Sequence, residues 1–448
     1  MKYRPYDISF CMIVKNGAEY LQRCLNSVRQ ISREIIIVDT GSDDDTVNIA
    51  KSVGATVVHQ SWNDHFADAR NVALEYANCP WIFTLDADET LDPISEPELK
   101  RIVRENKSDV VFCDIISEKK TSGQETTIVN SLPRLFRNKM DIRYEGRVHE
   151  QIIPSAILVK ARIGYSTIRI LHEGYSGDTA VEYDKLQRNL RLLLMDIEEH
   201  PERGFTHFHL GETYSLLGQF EDACQAYINA LDKNDLPQYL KPRALQNYGN
   251  VLYKLGRYNE AIGFVDQALE QDPSLSMAYV VAARIHMKLK QYESAVQALE
   301  RLIGMAESRD KQFVVRYDLV PDMRFVHTIL AHNYLLLQAD DKALQSYTHA
   351  VEIGSPYYDT YSGMGDVLFR NGSYKSALES YQQAYRLGDR DDEIYVKLMQ
   401  CYYELGNMAK AIEMLQPLVI RQQPIAVSQR YSPVVELAKQ RKEGVVVH

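Results

Sequence analysis

Short apolar runs alternate with helix-like patterns over the first two hundred residues. Five runs rich in β-branched or aromatic residues predict strands: DISFCMIV (7–14), REIIIVDT (33–40), ATVVHQ (55–60), WIFTLD (81–86) and DVVFCDI (109–115). Segments with helical patterns lie between the first four runs. Because strands that alternate with helices form βαβ units, this half predicts a Rossmann-like α/β domain with a mostly parallel sheet.

Helical periodicity is clearest in the segment 17–28. One helix face is defined there by four apolar residues at the helical spacing: Leu21, Cys24, Leu25 and Val28. A second helix is predicted within 41–54, with Ser42 as its N-cap residue and Gly54 after its last turn. FADARNVALEYA (66–77) predicts the third helix.

The second half of the chain repeats itself. Six similar helix–turn–helix segments each carry an alanine after the turn: Ala223, Ala261, Ala295, Ala343, Ala377 and Ala411. Three of the five spacings are 34 residues (261 to 295, 343 to 377 and 377 to 411), and the longest predicts an insertion within 308–325. This is the tetratricopeptide pattern, in which the small alanine lets paired helices approach closely.

These periods predict three parts in the chain. The α/β domain is expected over residues 1–183, a linking helix over 184–204 and a domain of about six tetratricopeptide repeats over 205–448. A length of 448 residues also exceeds what one ordinary hydrophobic core supports.

Composition narrows the functional classes. A net charge of -10 argues against general nucleic-acid binding, which depends on Lys and Arg contacts with phosphates. The six cysteines include no CxxC pair, and most lie in apolar runs, so we expect buried free thiols. The N-terminal MKYRPYDISF lacks the pattern of a secretion signal and no stretch resembles a membrane span, so a cytoplasmic location is expected.

An acidic pair follows the predicted strand 81–86. If the strand continued, the side chains of Asp86 and Asp88 would point to one side and repel each other. A divalent cation relieves such repulsion, and oxygen ligands suit Mg²⁺ or Mn²⁺. A solvated turn would explain the same pattern, so the neighbouring strand ends must decide.

Polar residues follow the other predicted strands as well. Asn16 follows the first strand, Asp39 ends the second, and Arg70 lies on the helix shortly before the acidic pair. Since ligands of α/β sheets bind at the carboxyl ends of the strands, these residues predict a pocket for a nucleoside diphosphate.

Taken in order, the segments CMIVKNGAEYLQRCLNSV, EIIIVDTGSDDDT, FADARN and WIFTLDADE resemble the nucleotide-sugar half of inverting family-2 glycosyltransferases of the GT-A fold. The resemblance covers about the first 175 residues. With the repeats attached, the chain is similar to bacterial two-domain transferases that include the sublancin-type peptide S-glycosyltransferases. Where that family usually has an N-E-E run, this chain has Asn16, Gly17 and Ala18.

The resemblance implies a set of site residues. The nucleotide sugar is expected to contact Val14, Asn16, Asp39, Ser42, Arg70, Asp86 and Ala87. Asp88 and His172 are expected to hold Mg²⁺ or Mn²⁺. An inverting transfer also needs a base on the acceptor side. Glu150 in YEGRVHEQI (144–152) is the expected base, with His149 as the competing choice for base or metal ligand.

Other residues keep a structural interpretation beside the functional one. Glu150, His149 and His172 could each be an ordinary hydrogen-bonded structural residue. Arg134 and Arg137 could contact phosphate, although local pairing is the commoner fate of such arginines. Trp62 and Trp81 are expected to be core or sheet-packing aromatics.

The partners expected are a nucleotide-sugar donor, with a uridine diphosphate hexose the commonest among relatives, and a peptide or protein acceptor held by the repeats. The repeats could also form a homodimer. The alternatives are a transferase acting on a cell-envelope glycan and a repeat scaffold with an inactive transferase domain. A nucleotidyltransferase is disfavoured because no G-x-G-T/S-R loop lies near the N-terminus.

Overall fold

The structure is a computed structural model that describes residues 7–442 except for 122–123, 139–140, 174–178, 234, 308–320, 355–356, 422 and 424. Most of the insertion predicted within 308–325 lies outside the described residues. The chain divides into two compact units, of which the first runs to Met277 and the second begins at Ala278.

In the part of the chain that the structure describes, one sheet of eight strands organises the N-terminal region. The strands are β1 (Ile8–Val14), β2 (Glu34–Asp39), β3 (Thr56–His59), β4 (Trp81–Thr84), β5 (Glu89–Leu91), β6 (Val110–Thr121), β7 (Gln124–Arg137) and β8 (Ile163–His172). Their order is β3-β2-β1-β4-β7-β6-β8-β5. The first four are mutually parallel, whereas β7 runs antiparallel to both β4 and β6. The α/β prediction is confirmed, and the sheet is mixed rather than mostly parallel.

Among the described residues, five α-helices accompany this sheet: α1 (Ala18–Val28), α2 (Thr46–Ser52), α3 (Phe66–Glu75), α4 (Glu96–Glu105) and α5 (Ile153–Leu158). A short 3-10 helix, Pro93–Ser95, precedes α4. The four apolar residues predicted to define one face of α1 are all buried. This face packs on the sheet because an amphipathic helix is stabilised mainly by burying its apolar stripe.

The central strand β1 is buried on both faces. Phe10 and Met12 belong to the core cluster that includes Leu21 and Leu25 of α1. Cys11, between them in sequence, belongs to the cluster on the opposite side with α3. Successive side chains of a strand point to opposite faces, so one continuous apolar run serves two cores.

Two local predictions at the strand ends are wrong. Helix α2 begins at Thr46 rather than after Ser42, because the Asp44 carboxylate accepts from the Thr46 N–H at 3.0 Å. Strand β4 ends at Thr84, so Asp86 and Asp88 lie in the turn that precedes β5 and not on one strand face.

The linking helix, α6, spans Thr179–Glu199 instead of the predicted 184–204. Within the described ranges, the repeats then form six helix pairs: α7 (Gly204–Leu216) with α8 (Phe220–Asp232), α9 (Lys241–Lys254) with α10 (Tyr258–Gln271), α11 (Ser276–Lys288) with α12 (Tyr292–Glu307), α13 (Met323–Leu336) with α14 (Asp340–Ile353), α15 (Tyr358–Arg370) with α16 (Tyr374–Arg386), and α17 (Asp392–Glu404) with α18 (Met408–Ile420). A 3-10 helix, Gln429–Tyr431, and α19 (Ser432–Lys442) follow.

The small residues of the repeats behave as predicted. The six recurring alanines are completely buried. Gly218, in the turn between α7 and α8, has φ +75°, a left-handed conformation that glycine adopts without a Cβ clash. The six cysteines are buried free thiols, as predicted. No helix within the described ranges is long and apolar enough to cross a membrane.

Two glycines of the second repeat give a stability test. A Cβ at Gly249 would lie 2.5 Å from Val265 Cγ2 and 3.0 Å from the Ala261 carbonyl oxygen, whereas a Cβ at Gly263 meets nothing within 4 Å. We expect Gly249→Ala to lower the free energy of unfolding by about 1–3 kcal/mol through overpacking. Gly263→Ala should raise it by about 0.5–1 kcal/mol, because alanine loses less backbone entropy. The unfolding free energy of both variants can be measured by urea denaturation. A change in the same direction for Gly249→Ala and Gly263→Ala would contradict this packing.

Candidate functional site

The strand order brings the predicted polar residues to one edge of the sheet. Strand β1 lies between β2 and β4, and all three run in the same direction. Val14 pairs in register with Asp39 at their carboxyl ends. Asn16 and Asp86 follow the ends of β1 and β4, so the edge collects an amide and two carboxylates.

The loops after β1 and β2 are bonded to each other. The Asn16 N–H donates to Ser42 Oγ at 2.9 Å, and the Asn16 side-chain oxygen accepts from the Asp43 N–H at 2.9 Å. Asn16 has φ +52°, a left-handed conformation that asparagine tolerates better than most residues. Ser42, wrongly predicted as a helix cap, therefore connects the two loops of the edge.

Gly17 permits a close approach between this loop and the acidic turn. A Cβ there would lie 2.7 Å from Val14 Cγ2 and 3.2 Å from the Ala87 Cβ. The turn bearing Ala87 is thereby packed against the end of β1, so any side chain at Gly17 would separate them.

Asp39 is almost fully buried, at 3% exposure. Its Oδ1 accepts from the Ser42 N–H at 3.1 Å, and its Oδ2 lies 3.2 Å from His59 Nδ1. The carboxylate is thus held in one orientation at the end of β2.

Asp86 lies between two arginines. Its Oδ1 accepts from Arg70 Nη2 at 2.7 Å and its Oδ2 from Arg134 Nη2 at 2.9 Å. Burial raises the pKa of Asp86, but the charges of Arg134 and Arg70 outweigh it and hold the pKa well below its usual range. Asp86 is therefore a fixed carboxylate.

Arg134 is the member of this cluster that the sequence interpretation undervalued. Its Nη2 also donates to Glu89 Oε1 at 2.6 Å, and the side chain is buried on β7. Arg70 Nη1 and Arg134 Nε are buried with no hydrogen-bond partner among the described residues. Unpaired guanidinium N–H groups beside a pocket suit an incoming phosphate or sugar oxygen.

Asp88 and His172 come together, although they are 84 positions apart in the sequence (172 minus 88). Asp88 Oδ2 lies 3.3 Å from His172 Nε2, and Ser117 Oγ lies 3.1 Å from His172 Nδ1. The hydrogen bond with Asp88 raises the pKa of His172.

The donor set of this pair suits a divalent cation. A carboxylate oxygen and an imidazole nitrogen are both accepted by Mn²⁺, and a partner on the second ring nitrogen is the usual way to orient a ligating histidine. Within the described ranges no group of three His, Cys, Asp or Glu side chains forms a metal site. Two protein ligands fit a cation that completes its shell with water and substrate phosphates.

Glu150 and His149 face different partners. Glu150 Oε1 accepts from Arg70 Nε at 2.5 Å, so Arg70 joins Glu150 to Asp86. The His149 ring stacks on His209, with ring centroids 4.3 Å apart. Desolvation, followed by the neighbouring His209, lowers the pKa of His149. Glu150 shares Arg70 with Asp86, whereas His149 packs against His209, so Glu150 stays the candidate base that lies beside the acidic turn.

A pocket of about 860 Å³ opens above this cluster. Asp86, Arg70 and Glu150 line it together with aromatic residues from the sheet domain, α7 and the segment before α9, including Phe66, Phe205, Phe208 and Tyr239. Trp81 is a core residue as predicted, at 1% exposure. Trp62 is not, because it also lines the pocket and packs edge-on against Phe66.

Comparison with known families places this site in a class. Residues 9–161 match Glycosyl transferase family 2. Residues 206–238 and 368–429 match Tetratricopeptide repeat families, and 241–302 match the family described as Anaphase-promoting complex, cyclosome, subunit 3. The chain therefore carries an N-terminal glycosyl transferase family 2 domain followed by tetratricopeptide repeats, which confirms the resemblance drawn from its motifs.

Individual relatives agree with that architecture. A TPR repeat-containing protein of Synechococcus elongatus is 32% identical over 59% of this chain and 64% of its own length. The prophage-derived glycosyltransferase SunS of Bacillus subtilis is 27% identical over 47% of this chain and 50% of its own length. An uncharacterized glycosyltransferase of Rickettsia bellii is 37% identical over 23% of this chain and 34% of its own length. The chain thus spans between about a third and two thirds of the length of these relatives.

The two arginines of β7 give a test of the cluster. Arg134→Met removes the partner shared by Asp86 and Glu89, and leaving buried charge uncompensated costs about 3–5 kcal/mol of unfolding free energy. The matched control, Arg137→Met, removes a guanidinium that lies 4.3 Å over the Trp81 ring and donates to the exposed Asn106 side chain, two contacts worth about 1–2 kcal/mol together.

The loss of stability in Arg134→Met should also depend on pH. The folded-state pKa of Asp86 lies below the unfolded value of about 3.9, so its contribution is complete above that pH and is lost as the pH falls below it. The loss of unfolding free energy in Arg134→Met, measured by urea denaturation, should therefore be smaller at about pH 3.5 than at about pH 7. Equal losses of unfolding free energy in Arg134→Met and Arg137→Met would contradict the role given to Arg134. A loss in Arg134→Met that does not change with pH would contradict it as well.

Proposed function

We propose that this protein is a metal-dependent inverting glycosyltransferase that moves a hexose from uridine diphosphate to a peptide or protein side chain. The observation that carries the proposal is the meeting of Asn16, Asp39 and Asp86 at one sheet edge, beside the Asp88–His172 pair. A family-2 domain over residues 9–161 supports the reaction class.

Each residue has a role in donor binding. Val14, Asn16 and Ser42 shape the nucleoside pocket, and Asp39 offers its oriented carboxylate to the base or ribose. Arg70 and Asp86 face the diphosphate and the sugar, with Ala87 in the turn between the two acids. Asp88 and His172 would hold Mg²⁺ or Mn²⁺, whose chemistry is to stabilise the charge of the departing diphosphate.

The acceptor side is formed around Glu150. The Glu150 carboxylate takes the proton from the accepting atom, whose lone pair attacks the anomeric carbon as the bond to the diphosphate breaks on the opposite face. Attack from that face inverts the anomeric configuration. Arg70 holds both Glu150 and Asp86, so one guanidinium orients the base and the carboxylate that faces the donor.

The repeats supply the acceptor. Tetratricopeptide arrays bind extended peptides or partner helices, and a tethered peptide reaches the pocket at a raised effective concentration. A homodimer through the repeats stays a prediction.

Donor binding can be measured before the acceptor is known. Uridine diphosphate with Mn²⁺ should raise the melting temperature of the protein, since a ligand of the native state stabilises it. We expect no such shift for Asp88→Asn, whose side chain loses the ligating charge. Asp341→Asn, the same change at an exposed position of α14, should behave as wild type. A shift that persists in Asp88→Asn would remove the acidic turn from donor binding.

The proposed base has its own test. Glu150→Gln keeps the shape of the side chain and an oxygen facing Arg70, so donor binding should be retained. Transfer to a peptide library, followed as release of uridine diphosphate, should fall by about 100-fold or more. Glu145→Gln, a control in the same loop, should transfer normally. Normal transfer by Glu150→Gln would place the base elsewhere.

A further inference from the structure

The segment that carries Glu150 is a closed loop. The Glu145 and Gln151 backbones exchange two hydrogen bonds, at 3.0 and 3.1 Å, and thereby close residues 145–151 into a ring. Inside it, His149 has φ +55°, a left-handed conformation that is strained for a residue other than glycine. A strained loop keeps one shape only when its surroundings hold it.

The loop is anchored on the helices that follow the sheet. Arg147 pairs with Glu199 at the end of α6. Val148 packs in a buried cluster with Leu192 and Leu193 of α6 and Leu210 of α7. These contacts position the middle of the loop against the linking helix and the first repeat.

His149 makes the next contact to the first repeat. Its ring stacks on His209 of α7 with an interplanar angle of 11°. His209 Nδ1 lies 3.0 Å from Glu212, and Glu212 accepts from Arg243 of α9 at 2.8 Å. Burial raises the pKa of Glu212, but the hydrogen bond with His209 and the charge of Arg243 lower it to about 2, so this carboxylate stays ionised and holds His209.

Glu150 follows His149 directly and makes the opposite contact. Its carboxylate accepts from Arg70, which in turn donates to Asp86. His149 and Glu150 therefore join the first repeat to the sheet domain, with one peptide bond between the two contacts. Loss of the stack on the His149 ring would therefore remove an anchor of the loop directly beside Glu150.

We propose that His209 is a positioning residue for the transfer reaction, and that the first tetratricopeptide repeat fixes the base-bearing loop rather than serving only to capture the acceptor. This inference rests on the proposed function, with Glu150 as base. Glu212 and Arg243 act through His209, which they hold in the stacked orientation.

The first readout needs neither donor nor acceptor. In His209→Ala the ring stack is lost, and hydrogen exchange of the backbone amides in 145–151 should accelerate by about 10-fold or more, with exchange in β1 and α1 unchanged. His209→Phe restores an aromatic face and should exchange at nearly the wild-type rate. His286→Ala, a histidine on a later repeat helix that contacts Gln291, is the control.

The second readout is kinetic. In His209→Ala we expect kcat to fall by about 10-fold or more, while the KM for donor and the thermal shift with uridine diphosphate and Mn²⁺ stay unchanged. His209→Phe should recover most of kcat. A general loss of stability would instead change donor binding and exchange throughout the sheet.

The outcomes separate the two proposals. Unchanged loop exchange in His209→Ala, or a Phe variant as impaired as the Ala variant, overturns the positioning role. A wild-type protein that binds no uridine diphosphate with Mn²⁺ and transfers no sugar overturns the proposed function. Faster loop exchange confined to His209→Ala supports the contact between repeat and loop in either case.

Discussion

The arrangement of the site depends on one carboxylate held between two guanidinium groups. Asp86 lies within hydrogen-bonding distance of Arg70 on α3 and Arg134 on β7. Three acids, Asp86, Glu89 and Glu150, approach this point, and without the arginines their mutual repulsion would favour protonation or separation. Because the two arginines also bind Glu150 and Glu89, the acidic turn, the antiparallel strand and the base-bearing loop are fixed together.

The sheet and the first repeat supply different parts of the site. Parallel strands β2, β1 and β4 bring short polar loops to one edge, which is where such sheets bind ligands. Strand β7, which is antiparallel to β4 and β6, supplies Arg134 to the acids Asp86 and Glu89, and the parallel pair β6 and β8 supplies Ser117 and His172. The first repeat completes the pocket with aromatic side chains and contacts the loop next to Glu150.

Sequence interpretation succeeded where the decisive interaction is local. The apolar face of α1 and the buried alanines of the repeats follow from periodicity and side-chain size. It failed at Ser42 because Asp44, two positions nearer to the helix start, accepts from the Thr46 N–H and leaves the Ser42 hydroxyl to Asn16. It undervalued Arg134 because a buried ion pair with Asp86 and Glu89 joins residues 45 to 48 positions apart, with no periodic signal in the sequence.

The sequence by itself determined that an α/β domain is followed by helical repeats, the family of that first domain, the repeat period and the identity of the residues at the strand ends. Those features depend on patterns within a few tens of residues, which one chain displays directly. Only the tertiary structure decided that Arg134 is shared by Asp86 and Glu89, that Arg70 joins Asp86 to Glu150, and that Trp62 lines the pocket. Such contacts arise from strand order and from the packing of distant elements, and periodicity along a chain carries no information about either.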